Sequence, residues 1–460
     1  MTFTEEEDVT TQARRGWLGV AALVATIIVA TGCGSSKCTS SPTTSATASA
    51  PATTTTTTSS ATTPSSAAGS GGAGAQSVTD YLSYVGGKAG AANPSLPPVT
   101  IGFVNQQGGS QSIGPLATTG AQIAVKYINS ELGGIGGHPL VLKSCFIRSA
   151  EEEGTTCGQQ FLADKSISVI DEGAVAIGDQ SFQSTIGSAK PVIVGVAVTP
   201  IDGAKPTNIV LFGDATHVLG PFGTYARDVV HAKTAALVYP NIAGITVGAT
   251  AIADSLEKVG VKVKKVGYDE SQTDLIGPLT SAGAQTADLV LPYSDSSGCV
   301  NLAKGLKQLG ITDTKKILSA PLCLNGLVAA GLGGDFPIWS YAIASSLYGD
   351  PTDPGMPAYM KVMAKYGTPA VAPDPWVIVT FGQVLTTARF LNEVGSANLT
   401  PTAVLDKAKA FTGPVALGAP ALQCGKYPSA PGICNDRTQF FVYKGKHEFV
   451  KSAGWLQPPS

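Results

Sequence analysis

The sequence predicts an α/β protein of two similar domains, each built on a mostly parallel sheet, and three observations lead there. After Pro97-Pro98 short, β-branched apolar runs alternate with helical stretches. The runs lack strict in-out alternation, which suits strands covered by helices on both faces. They also fall into two successive series of about 120 residues each, which argues for two domains rather than one large sheet. A chain of 460 residues has room for two or three hydrophobic cores. Its charged fraction, 13%, is about half the usual value, and the formal net charge is −2. That leaves no electrostatic footprint for a phosphate backbone and argues against nucleic-acid binding. No Gly triplet or sustained heptad supports a collagen or a coiled coil.

The amino end reads as an address. Arg14 and Arg15 precede an apolar run from Trp17 to Ala30 that stops at Thr31-Gly32-Cys33. At about 14 residues it is shorter than the roughly 20 of a membrane span and fits the core of a secretory signal. The small residues before Cys33 and the Gly34-Ser35-Ser36 after it resemble the lipobox of bacterial lipoproteins. Ala30 stands where such motifs usually carry Leu, and Glu5, Glu6, Glu7 and Asp8 make the leader acidic. The resemblance implies cleavage after residue 32 and lipidation of Cys33. An uncleaved anchor and plain secretion are the alternatives, and all three place the body outside the cytoplasmic membrane. From Ser35 to about Gln76 the chain is Ser, Thr, Ala, Pro and Gly, too poor in apolar surface to offset its ordering entropy. Residues 33–97 are therefore expected to be a disordered tether with a reach of about 45 Å.

In the body, Val99 to Val104 predicts a first strand and Gly114 to Ser130 a helix. Strands follow at Pro139 to Phe146, Ile167 to Asp171 and Pro191 to Val196, with helices at Glu151 to Asp164 and Asp179 to Ala189. The second series has strands at Thr234 to Tyr239, Val261 to Tyr268, Ala287 to Tyr293, Lys315 to Leu318 and Ile338 to Ala344. Its helices run from Ile245 to Val259 and Gly298 to Leu309. Helices dominate from Met356 to Phe411, and Thr438 to Lys451 reads as a hairpin turning at Lys444-Gly445-Lys446. These late elements have no series of their own and are expected to complete the earlier domains.

Ordered blocks carry a further resemblance: IGFVNQQGG, INSELGGIGGHPLVLKSC (Ile128 to Cys145), KPVIVGVAVTP (Lys190 to Pro200) and TDLIGPLTSAGAQTADLVLPY (Thr273 to Tyr293). In order and spacing the body resembles the type I periplasmic binding proteins of the branched-chain amino acid group, receptors of ABC importers. The resemblance implies an α/β two-lobed clamp, each lobe a mostly parallel sheet flanked by helices. Lobe 1 would comprise 98–216 plus 343–436, and lobe 2 would comprise 217–342 plus 437–460. Strand carboxyl ends and helix amino termini would face a shared cleft, where closure buries the ligand.

The resemblance also nominates cleft positions. Ala197 and Thr199 match the carbonyl and hydroxyl that hold an amino acid's ammonium and carboxylate. The small hydroxyl residue expected after Ile170 is missing, because Gly173-Ala174-Val175-Ala176 stands there, with Ala176 toward the cleft. Ala243 replaces a usual Tyr, and Pro321-Leu322 carries no carboxylate for the ammonium. A buried ammonium without a partner costs several kcal/mol. Asp295 is therefore the alternative partner, with a helix cap as its competing role. Tyr293, with the last strand residue as its competing role, and Gln106, Gln107 and Gln111 complete the candidates; the lost bulk at Ala243 and the polarity of the three Gln suit a larger or more neutral polar ligand.

Beyond Cys33 and Cys38 six Cys remain, with fifteen possible pairings. Neighbour pairing is favoured. Cys145 and Cys157 flank a strand-to-helix turn, Cys299 and Cys323 begin successive helical units, and Cys424 and Cys434 enclose a Gly/Pro-rich loop. No Cys-x-x-Cys occurs and the four His are scattered, so no metal site is expected, nor any cofactor. The leading function is a lipid-anchored, monomeric receptor that delivers an amino acid or related small polar solute to an ABC permease at the outer face of the cytoplasmic membrane. A ligand sensor coupled to signalling is the alternative. An extracellular hydrolase is third, and no Gly-x-Ser-x-Gly elbow or phosphate loop supports an enzyme.

Overall fold

The structure is a computed structural model that describes residues 77–109 and 113–460. The leader, Cys33, Cys38, Gln111 and the tether as far as Gln76 lie outside the described residues.

Helix α1 (Tyr81–Tyr84) comes first, then the strands β1 (Val99–Gln106), β2 (Leu140–Ile147), β3 (Ile167–Glu172), β4 (Val192–Val194) and β5 (Asn208–Val210). They form one parallel sheet in the order β2-β1-β3-β4-β5. The helices α2 (Pro115–Glu131), α3 (Glu151–Ala163), α4 (Asp179–Ile186) and α5 (Pro200–Ala204) connect them. Every residue of β3 is buried, as a central strand covered on both faces requires.

The second series begins with α6 (Pro221–Tyr225), β6 (Thr234–Pro240), α7 (Ala243–Lys258), β7 (Lys262–Tyr268), α8 (Ile276–Ala282), β8 (Leu289–Pro292) and α9 (Ser296–Gln308). It continues with β9 (Leu318–Ser319), α10 (Gly326–Gly331) and β10 (Ser340–Ile343). Strands β7-β6-β8 are parallel neighbours, and a bridge between Val290 and Ile317 continues the layer into β9 and β10. The edge strand β7 exposes Lys262, Lys264 and Lys265, charges that discourage pairing with another chain.

After β10 the chain returns to the first sheet as α11 (Met356–Tyr366), α12 (Pro375–Val394) and α13 (Pro401–Ala410), then ends as β11 (Thr438–Gly445) and β12 (Glu448–Leu456) on the second. That hairpin turns at Lys446-His447, both at positive φ, directly after the Gly445 centre expected from Lys444-Gly445-Lys446. Helix α12 has no solvent face over most of its length and lies across α2. A Cβ on Gly120 would come within 2.3 Å of Thr380 Oγ1, so only glycine admits this approach. The side chain of Gln383 on α12 donates to the carbonyls of Glu172 (3.0 Å) and Ile193 (2.8 Å), and Thr387 Oγ1 donates to Asp171 Oδ1 (2.7 Å). A distant segment is thereby locked onto the ends of β3 and β4.

The tether expectation needs correction at its carboxyl side, because residues 77–97 are part of the body. Asp80 caps α1 through Leu82 N and Ser83 N. Tyr81, 2% exposed, packs edge-on against Phe381 and Tyr127, and Tyr84 shares a hydrogen bond with Thr386 Oγ1 (2.9 Å). Two aromatic side chains and Val85 supply the apolar burial that the Ser/Thr segment lacks.

Three disulfides are present, Cys145–Cys157, Cys299–Cys323 and Cys424–Cys434, the neighbour pairs favoured by the sequence.

Candidate functional site

The chain passes between the two sheets three times: after β5, after β10 and before β11. The passages are tied together. Thr438 Oγ1 donates to Val218 O (2.6 Å), Gln439 Nε2 donates to Ser345 O (2.7 Å), and Val210 bridges Ile433. Two passages leave from strand carboxyl ends, those of β5 and β10, so the carboxyl ends of both sheets border the hinge and the cleft beside it. In the first sheet the strand order reverses between β1 and β3, and in the second between β6 and β8. Such reversals open the crevice in which α/β sheets bind ligands.

At the first crevice Asn105 is the organising residue. Fully buried, it accepts from Ala174 N (2.9 Å) and Gln106 N (3.1 Å), and donates to Gly114 O (2.6 Å) and Thr118 Oγ1 (2.8 Å). It joins the end of β1, the start of α2 and the loop after β3. A Cβ on Gly173 would lie 2.7 Å from its Oδ1, so glycine is required there. Asn105 stands inside the IGFVNQQGG block, yet nothing local distinguishes it from its Gln neighbours.

The nominated residues have the following surroundings. Gln106 is 1% exposed, and its Oε1 accepts from Ala176 N (2.9 Å) and Ile177 N (3.0 Å), so its amide shapes the loop instead of facing solvent. Gln107 is half-buried and accepts from Thr118 Oγ1 (2.7 Å). Ala176 is exposed, and Ala197 is buried with a backbone bridge to Asp214. Thr199 is the N-cap residue of α5; its backbone N–H donates to Asp202 Oδ2 (3.4 Å), and its hydroxyl donates to Asp179. Tyr293 directly follows β8, with burial pushing its hydroxyl up to about 12; its ring lies so close to α7 that Gly248 has no room for a side chain.

Asp295 is the N-cap of α9. Its Oδ1 accepts from Gly298 N (3.1 Å) and Ser294 Oγ (3.0 Å), and its Oδ2 accepts from Ser297 Oγ (2.8 Å). Burial disfavours its charge, but these bonds outweigh burial and hold its pKa below the usual range. Of the two roles weighed for Asp295, the cap is the one its contacts describe.

Sequence reasoning missed three buried carboxyls behind the cleft wall. Glu172 at the end of β3, Asp179 at the start of α4 and Asp202 on α5 are fully buried, with one oxygen of each within 4.8 Å of the others. Asp202 also accepts from Val198 N (3.2 Å) and Thr199 N (3.4 Å). Burial, then the charge of Asp202, raises Glu172 well above its usual value and Asp179 to about 8. Burial raises Asp202 to about 6, opposed by the bonds it receives from Glu172, Thr199, Asp179 and Val198. The raised pKa values favour the protonated forms of Glu172 and Asp179 beside Asp202, and Gln183 Nε2 donates to Glu172 Oε2 (2.7 Å) and Asp202 Oδ1 (3.3 Å). The three are an acidic group of metal-ligand spacing that a search for Cys and His passes over. Proton sharing among them is the description their raised pKa values favour.

The model of a family described as periplasmic binding protein matches residues 98–424. The chain belongs to the periplasmic binding protein family. Solved structures share the fold of this family member. A leucine-binding protein of Thermotoga maritima is 14% identical at a TM-score of 0.59, covering 78% of this chain and 99% of its own. An ABC transporter substrate-binding protein of Sphaerobacter thermophilus is 14% identical at 0.64, covering 79% and 98%. A solute-binding protein of R. palustris in complex with benzoate is 15% identical at 0.59, covering 78% and 98%. No curated protein sequence matches the chain. As a periplasmic binding protein of type I, the chain is an extracytoplasmic solute-binding protein with a two-lobed architecture.

Proposed function

We propose that this periplasmic binding protein is the substrate-binding component of an ABC importer. It is held at the outer face of the cytoplasmic membrane by a lipid on Cys33, acts as a monomer, captures a small organic solute between its lobes and delivers it to a permease. The lobes divide at the three crossovers, with 98–216 and 343–436 in one and 217–342 and 437–460 in the other. The observation that carries the reading is the bundle of crossovers beside the carboxyl ends of both sheets, which lets the lobes close on a ligand without breaking either core. An α-amino acid or a related small polar solute is the cargo expected from the family resemblance. The site offers an amino acid little: Asp295 is committed to α9, Pro321-Leu322 carries no carboxylate, and the Thr199 hydroxyl is held by Asp179.

Uptake of a labelled solute that the purified protein binds, in cells with and without the chain, tests the importer role. Uptake unchanged by its loss would refute it. For the anchor, mass spectrometry of the membrane-extracted protein should find a diacylated Cys33 at the mature amino terminus, and Cys33→Ala should appear in the soluble fraction.

A further inference from the structure

The loops that follow β1, β3 and β4 in the first sheet and β6, β8 and β9 in the second contain a single charged residue, Asp295; after β5 Asp214 is paired with His217, and after β10 Asp350 is paired with Lys451 and Asp353 accepts from Ser346 Oγ. The Asp295 carboxylate is occupied by its helix cap. Among the described residues there, Gln106 and Gln107 hold loops and α2, and Thr199 holds Asp179. Large aliphatic side chains instead reach solvent on both rims. In the first lobe these are Ile113, 38% exposed, and Val198, 36%. In the second they are Val247 at 57%, in the second turn of α7, and Leu322 at 42% and Leu327 at 74%, beside and on α10. Apolar surface left in water at the ends of central strands on both lobes is stabilised when a ligand covers it. An ammonium ion enclosed there would lose its hydration with no carboxylate free to replace it.

We infer that the cleft selects a solute that is largely hydrocarbon and carries no free amino group, held by aliphatic side chains of both rims. This rests on the receptor reading above and narrows its cargo. Polarity enters through backbone groups, so a carboxylic acid and its amide belong to the same candidate class. What the site excludes is the ammonium.

The test uses matched compounds on the purified full chain: 4-methylpentanoate, 4-methylpentanamide and leucine, then 3-phenylpropanoate, 3-phenylpropanamide and phenylalanine, with glutamine and urea as polar controls. At about 1 mM the acids or amides should raise the melting temperature and the amino acids should not. In titrations of straight-chain homologues of the binding acid or amide, each added methylene should tighten binding about fourfold until the cleft is filled. Leu327→Asp and Val198→Asp replace exposed side chains and keep the fold. Either should weaken the binding compound at least tenfold, and unchanged affinity in both would overturn the assignment to these rims. If an amino acid binds as well as its deaminated partner, or a polar control binds while the acids and amides do not, the inference falls and the receptor reading stands. If no compound of any class binds, both fall.

Discussion

Replacing Asp179 by Asn should make the protein more stable at neutral pH and flatten the dependence of its stability on pH. Asp179 is fully buried beside Asp202, with Glu151 adding a further negative charge and the amine of Lys205 the facing positive one. Burial, then the charge of Asp202, raises its pKa from 3.8 to about 8. Below pH 4 both the unfolded and folded chains hold this proton, and its contribution to stability is fully present. As pH rises toward 8 the unfolded chain releases the proton while the folded chain retains it. Stability therefore falls by about 1.4 kcal/mol per pH unit for this one group and levels off above the folded pKa. Between pH 5 and pH 7 that amounts to about 3 kcal/mol. An asparagine occupies the same volume, can accept from Thr199 through its oxygen and can donate an N–H to Asp202, so it supplies the neutral form without a proton. At pH 7 the variant should gain about 2 to 4 kcal/mol, the upper figure being the full cost of protonating Asp179. Urea unfolding followed by circular dichroism at pH 5, 6, 7 and 8, with disulfides intact and ionic strength fixed, measures both slopes. Parallel slopes for the two proteins would mean that Asp179 is ionised in the native state, and the proton-sharing description would be wrong.

Other substitutions separate the roles assigned above. Tyr81→Ala should cost about 3 kcal/mol, because a 2%-exposed ring leaves its place against Phe381 and Tyr127; no change in stability would return residues 77–97 to the tether. Asp295→Ala should lose about 1 kcal/mol as a helix cap and leave solute affinity unchanged in titration, whereas lost affinity would make it a ligand contact. Replacing Cys145 and Cys157 together by Ser should lower stability by about 3 kcal/mol, read in the same urea experiment. Gly120→Ala forces a methyl into Thr380 Oγ1 and the Val377 carbonyl and should cost about 1 to 3 kcal/mol, measured as a lower melting temperature.

Local pattern was enough to place nearly every central strand. Val99–Gln106, Ile167–Glu172 and Leu289–Pro292 carry short apolar runs (IGFV, VI, LVL) without strict alternation because parallel strands are covered on both faces, and that requirement is written in nearby residues. Cysteine pairing was legible for a similar reason, since each pair closes a short stretch of chain. The return of α12 to the first sheet could be expected only in outline; that Gln383 and Thr387 would pin it to Glu172, Ile193 and Asp171 depends on partners about 190 to 216 residues away. Residues 77–97 read as more tether because Tyr81 and Tyr84 look isolated until Phe381 and Thr386 are brought against them.

The candidate site was the least legible part. Sequence alone identified the loops at the ends of the strands and the absence of a carboxylate at Pro321-Leu322. It could not say whether Gln106, Thr199 and Asp295 face a ligand or their own loops, because a polar side chain's partner is chosen by which backbone groups the fold leaves unpaired nearby. Nor could it assemble Glu172, Asp179 and Asp202, which come from a strand end and two helices and meet only when the sheet, α4 and α5 pack. Fold class and chain order were thus settled by local hydrophobic periodicity. Which polar groups are left over for a solute was decided by tertiary packing, since burial in a low-dielectric interior forces each buried donor and acceptor to find whatever partner the packed chain provides.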